Sequence, residues 1–327
     1  MDQELSGAGT NGDAEKWVAV IAHPGKTDLP EVRREVAELA TRTGWREPRF
    51  WETTVEDTGT KQAREAVEAG ATVVAVCGGD GTVRAVATAL VGGDTPMAIL
   101  PAGTGNLLAR ALRISHTNRS RAVAMLDSIE YRDVDVMSAD LVRLDGSRST
   151  EVSLVGLGIG LNADIMSGVD EKLKKRAGWL AYVVSGARAL RRHALKVRIA
   201  DDVDDVSAPL VGSGLPVRSV RSVLAVTCSE LVGGLRLLEE SKPDDGVMET
   251  VVASPRHHFE LLWQLARLVS RRDARGQNVQ VLRSHRNVVV ECPRPTEAQV
   301  DGDPVGKVVR IEVSLRPGGL RVIAPTS

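Results

Sequence analysis

The stretch Val73–Leu112, VVAVCGGDGTVRAVATALVGGDTPMAILPAGTGNLLARAL, decides how this chain folds. An apolar β-type run, Val73–Cys77, stops at Gly78-Gly79-Asp80-Gly81-Thr82, and a helix-compatible segment follows at once. The pattern then repeats. Met97–Leu100 ends at Pro101-Ala102-Gly103-Thr104-Gly105-Asn106 before another helix-compatible segment. Turns of this kind bring backbone N–H groups and a carboxylate to one point, and on neighbouring parallel strands they would form the two jaws of one phosphate site. Glycines let the backbone approach an anion, Asp80 can carry a Mg²⁺ that bridges phosphate oxygens, and Thr82 can donate from the helix start. The second jaw adds the Thr104 hydroxyl and the amides around Gly103 and Gly105. Taken alone, Gly-Gly-Asp-Gly is equally well a tight turn.

Upstream, Trp17–Ala22 reads as a buried strand ending at His23-Pro24-Gly25-Lys26-Thr27. The ending resembles the tail of a P-loop, but Val20 stands where that motif needs its first glycine, so Lys26 is not a Walker lysine. Pro30–Thr43 is expected as a helix, Phe50–Thr54 as a strand and Lys61–Glu68 as a helix closed by Gly70. This βαβαβ rhythm, with a further helix at Arg119–Ser128, predicts an α/β domain on an open, mostly parallel sheet.

From Asp133 the pattern changes. Val134–Leu144, Glu151–Val155, Leu195–Ile199, Ser219–Thr227, Val247–Ala253, Val279–Leu282, Asn287–Cys292, Val308–Val313 and Gly319–Ile323 are short β-type runs, as in an antiparallel sandwich or barrel. Two helices interrupt them, Glu171–Arg192 and one beginning after Ser254 with Pro255 at its first position. Asp201–Val217 reads as an exposed loop. The expected organisation is a disordered tail at 1–15, an α/β domain at 16–132 and a β-rich domain at 133–316, with 317–327 returning to the first.

With 43% hydrophobic residues and a formal net charge of -1, the chain suits two globular cores and argues against nucleic-acid binding driven by overall charge. Cys77, Cys228 and Cys292 form neither a CxxC pair nor a Cys/His cluster, which suits buried reduced thiols. The first fifteen residues lack a basic n-region and an apolar core, and no apolar run approaches about 18 residues. The expectation is a cytoplasmic protein. The basic, apolar-centred segment Glu171–His193 could lie on anionic headgroups, or could be a core-packed helix with a solvated face.

The two glycine turns in this order resemble the diacylglycerol kinase catalytic domain family of bacterial lipid kinases, relatives of the sphingosine kinases. Gly158-Ile159-Gly160-Leu161-Asn162-Ala163, Gly178-Trp179-Leu180-Ala181-Tyr182, Asp244-Asp245-Gly246 and Val300-Asp301-Gly302-Asp303 extend the match in family order. The resemblance implies an ATP-binding α/β domain and a β-sandwich with the nucleotide in the cleft between them. It implies that His23, Pro24, Gly25, Lys26 and Thr27 form part of the nucleotide loop, with Thr54 a further contact. Gly78, Gly79, Asp80, Gly81, Thr82, Gly103, Thr104 and Asn106 would grip the phosphates.

The resemblance also implies a carboxylate that takes the proton from the lipid hydroxyl, at Asp303 with Asp301 beside it, although Asp, Gly and Pro would make a surface turn there in any case. A structural Mg²⁺ is implied at Asp245 with the carbonyls of Lys242 and Val247; the alternative is a type I turn. Three positions depart from the family pattern: His23 for Asn, Leu107 for Asp, and Asp303 for Glu. The implied cofactors are ATP and Mg²⁺, and the implied partner is a lipid substrate at a membrane surface, peripheral to the inner face. A homodimer is left open.

Overall fold

Local sequence sets the first helix with little help from the rest of the molecule. Asp28 accepts the Glu31 N–H at 3.2 Å, Pro30 occupies the first turn and Gly44 closes the far end at φ 72°. Val32, Val36, Leu39 and Ala40 are the buried face of the resulting α1 (Leu29–Thr43). The computed structural model describes residues 15–25, 27–115, 118–127, 130–160, 194–228, 230–231, 235–236, 238, 241–254 and 278–325.

Around α1 the first half is built as βαβαβ. Its elements are β1 (Val18–Ala22), β2 (Arg49–Glu52), α2 (Thr60–Glu68), β3 (Val73–Gly78), α3 (Asp80–Leu90), β4 (Met97–Pro101), α4 (Leu107–Ala111) and α5 (Arg119–Ala124). The expected Arg119–Ser128 helix is thus α5 followed by a 3₁₀ turn, Met125–Asp127. Strands run in the order β2-β1-β3-β4, all parallel. Every residue of β1 and β3 is buried, which is why both read as unbroken apolar runs rather than alternating ones.

The second half contains β5 (Tyr131–Val142), β6 (Arg148–Ser153), β7 (Gly156–Gly160), β8 (Leu195–Asp201), β9 (Arg218–Val220), β10 (Ser222–Val226), β11 (Glu230–Leu231), β12 (Leu235–Arg236), β13 (Met248–Ala253), β14 (Val279–Ser284), β15 (Asn287–Val300) and β16 (Asp303–Ile323). Here sequence reading and structure differ. Asn287–Cys292, Val308–Val313 and Gly319–Ile323 are parts of two long strands. Pro293 and Pro295 lie inside the β15 register shift between Glu291 and Thr296, and Pro317 inside the β16 shift between Arg316 and Leu320, where the ladder does not need their missing N–H groups. Strand β7, glycine-rich and without alternation, also carried no strand signal; it pairs β10 and β15.

Those irregularities shape the molecule. β15 pairs β8 through Val288–Glu291 and β7 through Ala298–Val300, so one strand serves two layers. Between them lies an apolar core that includes Met137, Leu157, Ile159, Val223, Met248, Val288 and Ile311. β16 runs along β15 and β5, then meets β4 in parallel through Val322 and Met97, joining both halves in a continuous 14-stranded sheet. Residues 1–14, Lys26, Leu161–Ala163, all of Glu171–His193 and the helix expected after Ser254 lie outside the described residues. Among those described, no helix is long and apolar enough to cross a membrane.

Candidate functional site

Because β1 to β4 are parallel, the segments after Ala22, Glu52, Gly78 and Pro101 emerge at one edge of the sheet. The structure therefore brings His23–Gly25, Thr27, Thr54 and both glycine turns to a common rim. His23 N–H donates to Cys77 O at 2.9 Å, its Nδ1 accepts the Gly25 N–H at 3.1 Å, and the Thr27 hydroxyl donates to the same Cys77 carbonyl at 3.2 Å. The first loop is thereby tied to the strand residue just before Gly78. Pro24 and Gly25 are exposed beside it. Thr54 forms a small turn, its hydroxyl accepting the Asp57 N–H at 3.0 Å.

The two glycine turns touch. Ala102 N–H donates to Gly78 O at 3.0 Å, and a Cβ on Gly103 would lie 2.7 Å from Gly79 Cα, closer than any side chain allows. Asp80 locks them together, its Oδ2 accepting the Asn106 N–H at 2.9 Å and its Oδ1 the Leu107 N–H at 2.6 Å. Gly105 passes so close that a Cβ there would sit 2.5 Å from Asp80 Oδ2. Asn106, left-handed at φ 49°, accepts the Gly103 N–H at 3.1 Å and donates to Gly103 O at 2.9 Å.

This geometry adds detail to two expectations. The Gly103 amide is spent on Asn106 Oδ1 within the second turn and the Asn106 and Leu107 amides on Asp80 of the first, while Thr104 is exposed. Asp80 is an anchor between turns, and a Mg²⁺ bound directly to it would compete with two backbone hydrogen bonds. Burial pushes the Asp80 carboxyl up, opposed by the Leu107 and Asn106 amides and reinforced by the Asp301 charge. Among the described residues no three of Asp, Glu, His or Cys converge as a metal site. What remains open is the N-terminus of α3, with Gly79 as its cap residue, exposed Gly81 and buried Thr82.

Facing this rim is the hairpin between β15 and β16. Asp301 and Gly302 turn it, both at positive φ, 48° and 90°, the pairing for which Asp-Gly is the favoured two-residue turn. The Asp301 carboxylate is consumed locally: Oδ1 accepts from the Ser153 hydroxyl at 2.8 Å and from the Val155 and Gly156 amides at 3.0 Å, and Oδ2 accepts the Leu154 N–H at 3.0 Å. It holds the Ser153–Gly156 loop in place. Asp303 is different. Its side chain is 56% exposed, and a Cβ on Gly81 would lie 3.6 Å from its Oδ2.

Arg84 escaped sequence analysis. From α3 its Nη2 reaches Asp303 Oδ2 at 2.9 Å and its Nη1 reaches Val300 O at 2.5 Å. The signal was present: Arg84 and Asp80 are the only charged residues of α3, one turn apart on one face. Asp135 was missed as well. Almost wholly buried, it accepts from Gly246 N–H at 2.7 Å and Gly318 N–H at 2.8 Å, pinning the Lys242–Val247 turn. In that turn Asp245 Oδ1 accepts the Val247 N–H at 3.1 Å, and Asp244 is paired with Arg132 at 2.5 Å.

All three cysteines are buried, and burial pushes the Cys228 thiol up to about 12 and Cys292 to about 11. Neither is a nucleophile at neutral pH.

A parallel-sheet domain with a glycine-turn helix N-terminus, faced by an aspartate from a β-sandwich, defines a nucleotide-dependent phosphotransferase. Residues 17–139 match the diacylglycerol kinase catalytic domain, and residues 154–324 match the YegS C-terminal NAD kinase beta sandwich-like domain. The chain belongs to this lipid kinase family. A protein named "Probable lipid kinase YegS-like" from Pseudomonas aeruginosa is 29% identical over 94% of each chain, and one of the same name from Pseudomonas fluorescens is 28% identical over 95% of this chain and 96% of its own. In fold the chain is similar to a diacylglycerol kinase from Bacillus anthracis, with TM-score 0.68 and 17% identity over 95% of this chain and 97% of that one. A yeast NADH kinase is more distant, with TM-score 0.54 and 11% identity over 96% and 85%.

Proposed function

We propose that the protein transfers the γ-phosphate of ATP to the free hydroxyl of diacylglycerol or a closely related lipid, giving phosphatidic acid. The observation that carries this reading is the approach of Asp303 to the α3 turn. An exposed carboxylate beside a phosphate-binding helix N-terminus is where a hydroxyl must lose its proton. In the step, the acceptor hydroxyl gives its proton to Asp303 as its oxygen bonds to the γ-phosphorus and the bond to the departing ADP breaks. Gly79 to Thr82 and the α3 dipole hold the phosphates, Thr104 adds a hydroxyl, and His23–Thr27 with Thr54 line the nucleotide side.

Mg²⁺ would enter on the triphosphate as part of the substrate. A cation at the Lys242–Val247 turn belongs to the same reading. Burial raises the Asp135 carboxyl, and the neighbouring Asp245 and Asp244 charges raise it further, a repulsion that a divalent ion would relieve. The reading places the protein peripherally at a membrane surface, where its acceptor resides.

The test is label transfer from γ-labelled ATP to a lipid panel in mixed micelles. Wild type should label diacylglycerol, whereas Asp303→Asn should lose about 100-fold in kcat and keep its affinity for ATP. ATP binding without transfer to any lipid, unaltered by Asp303→Asn, would make the protein a nucleotide-binding sensor instead.

A further inference from the structure

Arg84 joins the two sides of the site through one side chain. It leaves α3 on the turn after Asp80, crosses to the β15–β16 hairpin, and holds both the Val300 carbonyl and the Asp303 carboxylate. The Arg84 side chain is 18% exposed and the Asp303 side chain 56%. The guanidinium is thus the fixed partner, and the carboxylate is what it fixes. Val300 and Asp303 close the hairpin as a ladder pair, so the planar fork grips the base of the turn and its free carboxylate together. Asp301 fixes the same hairpin from its other side, through the Ser153–Gly156 loop.

We propose that Arg84 is the positioning residue for phosphoryl transfer: by clamping Val300 and Asp303 to the helix that begins at the phosphate turn, it sets the distance between proton acceptor and γ-phosphate. The proposal rests on the reading of Asp303 as that acceptor. Asp303 reaches about 1 Å less far than a glutamate would, and misplacement on that scale can cost about 100-fold in rate. A short carboxylate in this place needs its backbone and its oxygen held, and Arg84 holds both. Lysine has a point charge and could hold only one of the two at a time.

The experiment measures transfer from labelled ATP to diacylglycerol in mixed micelles for wild type, Arg84→Ala, Arg84→Lys, Asp303→Asn and Arg84→Ala/Asp303→Asn. Melting temperatures are recorded for each. Arg84→Ala should lower kcat about 30-fold and leave KM for ATP within about twofold, with Arg84→Lys recovering part of the loss. Because Arg84 acts through Asp303, the double variant should be no worse than Asp303→Asn alone. A folded Arg84→Ala with wild-type kcat overturns the proposal, as do losses that multiply in the double variant. Should Arg84→Ala not fold, the cycle is run with Arg84→Lys, and multiplying losses overturn it equally. An active wild type indifferent to Arg84 sinks this proposal alone. A wild type that binds ATP and phosphorylates no lipid sinks the reading of Asp303 and this proposal with it.

Discussion

The glycine cradle of the α/β half and the Asp-Gly hairpin of the β-rich half are built on the same device. In each, one aspartate carboxylate is buried against the backbone amides of a neighbouring loop: Asp80 against Asn106 and Leu107, Asp301 against Leu154, Val155 and Gly156. What differs is the remainder. The cradle leaves a helix N-terminus open, while the hairpin leaves a second, exposed carboxylate, Asp303. The open helix N-terminus and the exposed carboxylate are therefore each held by an aspartate spent on backbone amides, and Arg84 spans the gap between them. A rigid scaffold carboxylate and a free chemical one look alike in sequence but not in their hydrogen bonds.

The largest effect should come from removing the hairpin's anchor. Asp301→Ala strands the Leu154, Val155 and Gly156 amides and puts a β-carbon residue without local polar support at φ 48°; urea unfolding should show a loss of about 3 kcal/mol. If the loss were below about 0.5 kcal/mol, the two anchors would not be equivalent.

Breaking the cradle is expected to cost somewhat less in stability and more in binding. Gly103→Ala pushes a methyl to 2.7 Å from Gly79 Cα, so the turns must part. Unfolding should show about 2 kcal/mol, and calorimetry about tenfold weaker ATP binding. Retained ATP affinity would mean that the second turn does not shape the first.

The smallest effect sharpens the contrast in charge. Asp80 has its folded-state pKa raised by burial, so folding favours its protonated form. That contribution is fully present below the unfolded value near 3.8 and is lost as pH rises through the higher folded value. Wild type should therefore lose stability relative to Asp80→Asn as pH climbs from about 4 towards neutrality. A difference that is flat with pH, or that runs the other way, would show the buried carboxylate to be compensated by its amides.

Much of the site was legible because its residues are local signals. Gly78–Thr82 and Gly103–Asn106 announce turns by composition and lie where strands of a parallel sheet end. Asp301-Gly302 announces a hairpin. Arg84 was not legible as a bridge between the two halves, because its partners are 216 and 219 residues away, and nothing in α3 itself says that one arginine is spoken for. The partners of Asp80 were not legible for the same reason: a carboxylate in a glycine turn gives no local sign that the amides of Asn106 and Leu107 will meet it.

The sequence by itself determined the parallel order of strand and helix in the first half, the sharp chemical turns and the β-rich character of the second half, since periodicity, glycine and capping act within a few residues. Tertiary structure alone decided that prolines at register shifts let β15 and β16 run on as long strands, that β16 carries the ladder from β15 to β4, and which aspartates are spent on backbone and which meets Arg84. Those outcomes depend on which distant amide or guanidinium a carboxylate meets once the chain is packed, and no local pattern encodes the meeting.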